Sequence, residues 1–134
     1  KNVKTNSMAE LVDVYPTLCE IANIDPPKYI DGVSLVPILK DPDVKLKNEI
    51  YTRYQRHEAI VDENYSYTEF VNLNPDDKIP DGEPGMADML FDMKNDKDQN
   101  IDISNRPSSQ ELVKKYKEKL ALMRKYVNQK KIDK

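Results

Sequence analysis

The chain has 134 residues, of which 38% are apolar and 34% charged, and a net charge of −3. Globular domains average about 45–50% apolar and about 25% charged, so the core of this chain is expected to be thin and to lean on a larger partner. A single cysteine excludes an internal disulfide framework, and there is neither a run of the ~18 apolar residues that span a membrane nor a basic-then-apolar signal segment. The charge is uneven: Glu111–Lys134 carries nine Lys/Arg against three Asp/Glu, leaving this end at +6 and the rest at −9. These lysines have no aromatic platform or binding motif among them, so they read as a solvated helix face rather than a nucleic-acid surface. The sequence starts at Lys1 and its first methionine is Met8, so the chain is expected to begin inside a longer protein.

Ser7 followed three residues later by Glu10 has the form of a capping box. Leu11, Val14, Leu18 and Ile21 then recur at helical spacing, widened by Tyr15 and Ala22. Pro16 interrupts the pattern, which predicts two short helices with a kink, the second starting near Pro16. Residues 24–33 read as a loop because of Pro26, Pro27 and Gly32, and Ser34–Lys40 as a short helix limited by Pro37. Asp41–Asn48 is a charged connection and the expected domain boundary. Glu49–Arg56, Ala59–Val61 and Tyr65–Val71 read as strands, with Ile50, Thr52 and Tyr54 on one side of the first and a turn at Asp62–Asn64. Asn72–Asp88, with three prolines and two glycines, reads as a long loop, and Asp88–Met93 as a fourth strand. A second capping box, Ser108–Glu111, precedes Leu112, Tyr116, Leu120, Met123 and Val127 on one helical face. The expected fold is α+β: a small antiparallel sheet of about four strands packed by a C-terminal helix, preceded by a kinked helix.

Four segments, in order, resemble the type I sulfatases. ELVDVYPTLCEIANIDPPKYIDGVSLVPILKDP is similar to the segment after the last strand of their catalytic sheet, matching V-D-x-x-P-T-L at Val12, Asp13, Pro16, Thr17 and Leu18. It matches G-x-S-L-x-P-L-L at Gly32, Ser34, Leu35, Pro37, Ile38 and Leu39. Tyr51–Arg56 is similar to Y-S-Q-Y-P-R, with Arg53 in place of glutamine and Gln55 in place of proline. AIVDENYSYTEF is similar to S-I-R-T-x-x-Y-R-Y-T-E-W, with Val61 where an arginine is usual and Asp62 where a threonine is. LFDMKNDKDQNI is similar to L-Y-D-L-x-x-D-P-x-E-x-x-N-L through Leu90, Phe91, Asp92, Asp96, Asn100 and Ile101. The nearest branch by resemblance is the iduronate-2-sulfatase-like one. The resemblance implies that residues 1–48 end an alkaline-phosphatase-like sulfatase catalytic domain and that 49–134 form the C-terminal subdomain. The whole protein would be secreted, periplasmic or lysosomal.

The family's nucleophile is a formylglycine made from cysteine in C-x-P-x-R, or from serine in one branch. Cys19 is followed by Glu20, Ile21, Ala22 and Asn23, lacks both proline and arginine, and reads as a buried thiol. No catalytic residue and no metal ligand is therefore expected in this chain, and calcium and formylglycine are expected in the upstream part. Asp96, Asp98 and Asn100 begin like a calcium loop, but Ile101 stands where glycine is needed and Pro107 where glutamate is, so these residues are expected to pin a connection instead. Arg56 is the candidate substrate-binding residue, because the Y-S-Q-Y-P-R resemblance puts a pocket-facing arginine there and a guanidinium fork suits sulfate oxygens. Arg53 is a second candidate; for both, the alternative is a surface charge or an ion pair with the acidic body. His57, the only histidine, reads as solvent-exposed or as a contact at the pocket rim. The eight tyrosines are expected to cap a small core with their hydroxyls in water. The resemblance thus implies the C-terminal portion of a sulfatase acting on a sulfated saccharide, partnered by the catalytic portion, with no nucleic acid and no membrane. The alternative is a non-catalytic structural or carbohydrate-binding module.

Overall fold

Glu10 and Asp13 start the first helical segment. The computed structural model describes residues 3–71 and 87–132; the loop expected at Asn72–Asp88 lies almost entirely outside the described residues. The chain divides into two compact units, Lys1–Ile50 and Tyr51–Lys134.

In the first unit, a 3-10 turn, Leu11–Asp13, runs directly into α1, Val14–Ile21. The backbone N–H of Glu10 donates to Asp13 Oδ2 at 2.8 Å. Ser7 does not cap the helix as its spacing predicts; its Oγ accepts from the Leu46 N–H at 3.4 Å. Nor does a helix start at Pro16, which is the third residue of α1, where a missing N–H is tolerated. Asn23 takes the left-handed conformation, with φ of 57°, and ends α1 as the Ile24 N–H donates to the Cys19 carbonyl at 2.9 Å. Pro16, Thr17 and Cys19 are the buried residues of α1. The apolar stripe faces the other way: Leu11, Val14, Leu18 and Ile21 are all exposed, Leu11 by 91%. An apolar face so open on a short helix is a surface that another element normally covers. The short helix expected at 34–40 is α2, Val36–Lys40, with Pro37 in its first turn.

The second unit holds the sheet and the long helix. Strands β1 (Glu49–Tyr54), β2 (His57–Asp62), β3 (Tyr65–Phe70) and β4 (Met89–Asp92) lie in sheet order β1-β2-β3-β4. β2 pairs antiparallel with β3, and β3 with β4. In this register Ile60 stands opposite Tyr67, and Tyr67 opposite Leu90, so one row of fully buried side chains crosses three strands. Tyr116 and Leu120 of α3, Gln110–Ile132, close over that row. Each such side chain stabilises by about 1.5–3 kcal/mol relative to exposure. This is the expected α+β arrangement of a four-stranded antiparallel sheet under a C-terminal helix. The start of the helix differs from the predicted Ser108 cap: a 3-10 turn, Pro107–Ser109, leads into α3, and Gln110 Nε2 donates to the Ser104 and Arg106 carbonyls at 2.9 and 3.1 Å. Among the described residues no helix is long and apolar enough to cross a membrane.

Candidate functional site

The predicted site residues lie on the β1–β2 hairpin: Arg53 on β1, Arg56 in the connection and His57 at the start of β2. Gln55 and Arg56 form the two-residue connection, and Gln55 has a φ of 52°. Proline is locked near −65° and cannot adopt this turn. The replacement of the motif's proline by Gln55 therefore goes with a local turn shape of its own. Arg56 is half-buried, and its carbonyl accepts from the Val71 N–H at 2.7 Å. His57 is also half-buried rather than open to solvent; it stands opposite Phe70, the ring centroids 5.5 Å apart and edge-on. Arg53 leans on β2, with Nη1 3.5 Å from Glu58 Oε1.

Behind the hairpin lies a charge network that the sequence reading missed. Glu58 on β2 and Glu69 on β3 are direct cross-strand partners, and like charges so placed repel. Arg124 of α3 bridges them: Nε donates to Glu58 Oε2 at 2.7 Å and Nη2 to Glu69 Oε2 at 2.6 Å. Glu58 is only 1% exposed, and its Oε1 makes no hydrogen bond among the described residues. Lys117 reaches Glu69 at 3.4 Å and Asp88 at 3.2 Å, and Asp88 accepts from the Tyr67 hydroxyl at 2.9 Å. One signal was available: Arg124 stands four residues after Leu120, which puts it on the face that packs against the sheet.

The buried tyrosines also depart from the capping role expected of them. Tyr67 and Tyr116 are almost wholly buried, and both hydroxyls donate to carboxylates, of Asp88 and Asp62 respectively. Burial, reinforced by the Asp88 hydrogen bond, pushes the Tyr67 hydroxyl far above its ordinary range. Burial opposes ionisation of Asp62, but the hydrogen bonds from Tyr116 and from the N–H groups of Asn64 and Tyr65 outweigh it and hold the carboxyl below its ordinary value. Asp62, where the sulfatase motif has threonine, thus ties the β2–β3 turn to α3.

In the first unit the motif residues are structural. Asp13 is fully buried. Its carboxylate accepts from the N–H groups of Glu10 and Val33 and from Lys47 Nζ, the last at 2.8 Å. Lys47 also holds Glu10 at 2.6 Å. The Thr17 hydroxyl donates to the Asp13 carbonyl and accepts from the Leu35 N–H at 2.8 Å. Desolvation works against both charges of the Asp13–Lys47 pair, yet their mutual hydrogen bonds prevail, so Asp13 titrates below 3.8 and Lys47 above 10.5. The stabilisation from Asp13 is present above 3.8 and is lost as pH falls through its lower folded value. That from Lys47 is present below 10.5 and is lost as pH rises through its higher folded value. Lys47→Met is expected to lower the denaturant midpoint and to start the acid loss at a higher pH, because Asp13 loses the cation that keeps it ionised. An acid titration of the midpoint that is superimposable on wild type would refute this.

The aspartates of the closing motif pin their connection, as expected. Asp92 accepts from the N–H groups of Lys94 and Asn95 and from Asn95 Nδ2; Asp96 accepts from the N–H groups of Asn100 and Ile101, the latter at 2.7 Å. Both carboxyls are held below their ordinary value, Asp92 mainly by the Asn95 side chain and Asp96 mainly by the Asn100 N–H. Among the described residues no three His, Cys, Asp or Glu side chains come together as a metal site. Cys19 is buried in α1.

Many solved structures share the fold, three of which illustrate it. One is a protein in complex with its substrate D-glucosamine-2-N,6-O-disulfate, with 22% identity and a TM-score of 0.66, covering 84% of this chain and 23% of that one. Another is the phosphonate monoester hydrolase of Agrobacterium radiobacter, with 20% identity and a TM-score of 0.62, covering 85% of this chain and 24% of that one. A third comes from work on the metabolism of multiple glycosaminoglycans by Bacteroides thetaiotaomicron, with 18% identity and a TM-score of 0.65, covering 90% of this chain and 26% of that one. The chain spans about a quarter of the length of these structures. A search of the curated proteins finds no match. Residues 1–126 match the family described as N-sulphoglucosamine sulphohydrolase, C-terminal. With nearly its whole length matched and the four-stranded sheet under its helix in place, the chain belongs to this family of sulfatase C-terminal domains.

Proposed function

We propose that this chain is the C-terminal portion of a sulfatase that hydrolyses sulfate esters of a sulfated saccharide. The observation that carries this reading is the family match over residues 1–126. The structure solved with a disulfated glucosamine supports a sulfated saccharide as the substrate class. The finer assignment, to the iduronate-2-sulfatase-like branch, rests on the four motif resemblances taken together. Residues 1–48 end the catalytic domain in this reading, and 49–134 form the subdomain that supplies one wall of the pocket. The nucleophile, its formylglycine and the calcium belong to the upstream part. The exposed stripe of Leu11, Val14, Leu18 and Ile21 is the face that packs into the rest of the catalytic domain.

Arg56 contacts the anionic substrate, with Arg53 and His57 beside it. A sulfated sugar carries fixed negative charge, and a guanidinium stays charged at every working pH and offers two parallel hydrogen bonds. The hairpin connection is a suitable mount, since loops on a rigid sheet are where sites are built. In the complete enzyme, Arg56→Ala is expected to lower kcat/KM by the ~1.5–3 kcal/mol of a hydrogen bond to a charged group. Arg56→Lys should recover only part. The measurement is kcat/KM on a sulfated saccharide, with a thermal melt of each variant. Unchanged kcat/KM with a normal melt would remove Arg56 from the pocket.

A further inference from the structure

We propose that Glu58 is a positioning residue for Arg53: anchored to α3 by Arg124, it holds the Arg53 guanidinium in place for the anionic group of the substrate. This rests on the hairpin being part of the substrate pocket. Three observations combine. Glu58 is 1% exposed and cannot move freely within a packed interior. Its Oε2 is taken by Arg124 at 2.7 Å, while its Oε1 has no hydrogen bond among the described residues and faces Arg53 Nη1 at 3.5 Å, with the Tyr51 hydroxyl also beside the carboxylate. Arg53 is itself partly open, with 35% of its side chain exposed. A guanidinium carries five donors in a fixed fork, and one carboxylate oxygen at this distance engages only part of them. The ion pair restricts the guanidinium while leaving donors over, which lowers the ordering cost of binding an anion. The register explains how the sheet supports a buried carboxylate here. Glu58 stands opposite Glu69, and Arg124 bonds to both, so its single positive charge offsets one of the two negative charges and ties Glu58 Oε2 to α3. Arg124 therefore acts on the hairpin through Glu58 without touching substrate.

The experiment is a double-mutant cycle in the complete enzyme, using Glu58→Gln and Arg53→Ala with a sulfated saccharide as substrate. Glu58→Gln keeps the shape and removes the charge that holds Arg53. KM is expected to rise about tenfold, the loss of one hydrogen bond to a charged group, with kcat within about twofold of wild type. Arg53→Ala should raise KM by a similar factor, and the double variant should be no worse than Arg53→Ala alone, because Glu58 acts through Arg53. Arg124→Lys, which keeps the charge but loses the fork that spans two carboxylates, should reproduce the Glu58→Gln effect and give the same non-additivity with Arg53→Ala. Effects of Glu58→Gln and Arg53→Ala that multiply would overturn the proposal and leave Glu58 as a packing residue. If Arg53→Ala leaves KM unchanged while Arg56→Ala raises it, the positioning role falls and the hairpin pocket stands. If neither arginine variant moves KM, the pocket assignment itself fails. Should Glu58→Gln reduce folding, Arg124→Lys with Arg53→Ala reads the same coupling.

Discussion

Arg124→Met is expected to destabilise the protein by about 3 kcal/mol, as breaking a buried ion pair from one side does. The cost comes less from the lost attraction than from what is left behind. Without the guanidinium, Glu58 and Glu69 face each other across β2 and β3 as two carboxylates, one fully buried and the other largely so. Of these two carboxylates Lys117 approaches Glu69, at 3.4 Å, and Arg53 approaches Glu58 at 3.5 Å. The apolar stem of methionine replaces most of the volume, so the measured loss reports charge rather than a cavity. Adding Glu58→Gln to Arg124→Met should recover part of the stability, since the stranded charge is then gone. The measurement is the denaturant midpoint of the three variants against wild type. An unchanged midpoint for Arg124→Met, or a double variant with the sum of two losses, would show that the network carries little energy.

Gly32→Ala is expected to be at least as severe, about 3 kcal/mol or more, because the clash is with backbone. A Cβ at this position would lie 2.0 Å from the Val12 carbonyl oxygen, 2.6 Å from its carbon and 3.0 Å from the Asp13 nitrogen. No flexible side chain is there to yield. The closeness has a cause in the sequence. Pro16 stands four residues after Val12 and has no N–H to give to that carbonyl, and the chain at Gly32 packs against it. One residue further on, the Val33 N–H donates to Asp13 Oδ1 at 2.9 Å. Displacing residue 32 thus also pulls away a donor from a fully buried carboxylate. Gly32→Ala should yield little soluble protein and a sharply lowered denaturant midpoint. A variant that expresses and unfolds like wild type would show that the segment can shift, which this contact does not allow.

The strands, the C-terminal helix and its inner face were legible in the sequence because each depends on local pattern. Alternation and β-rich composition marked β1 to β4, and spacings of three and four marked the face carrying Tyr116 and Leu120. The carboxylates of Asp92 and Asp96 were legible as turn-makers for the same reason, since their partners lie within five residues. Helix starts were less so. Ser7 and Ser108 each stand before a helix with an acid three residues on, but the cap that forms is the one with the better partner. At Glu10 that partner is an Asp13 carboxylate already fixed by Lys47, thirty-four residues away.

The sequence alone determined which segments form the strands and the C-terminal helix, and it placed Arg53, Arg56 and His57 together because they are close in the chain; the turn, expected after Arg56, falls at Gln55 and Arg56. Only the tertiary structure decided what surrounds them. Glu58 and Arg124 are sixty-six positions apart and Glu69 and Arg124 fifty-five. No periodicity reports which buried acid meets which helix cation. The same holds for the stripe from Leu11 to Ile21, whose spacing marked it as apolar but not as outward-facing. Which side of a short helix is covered depends on its neighbours: here Asp13 and Thr17 anchor one side through Lys47, Val33 and Leu35, and that leaves the apolar side exposed.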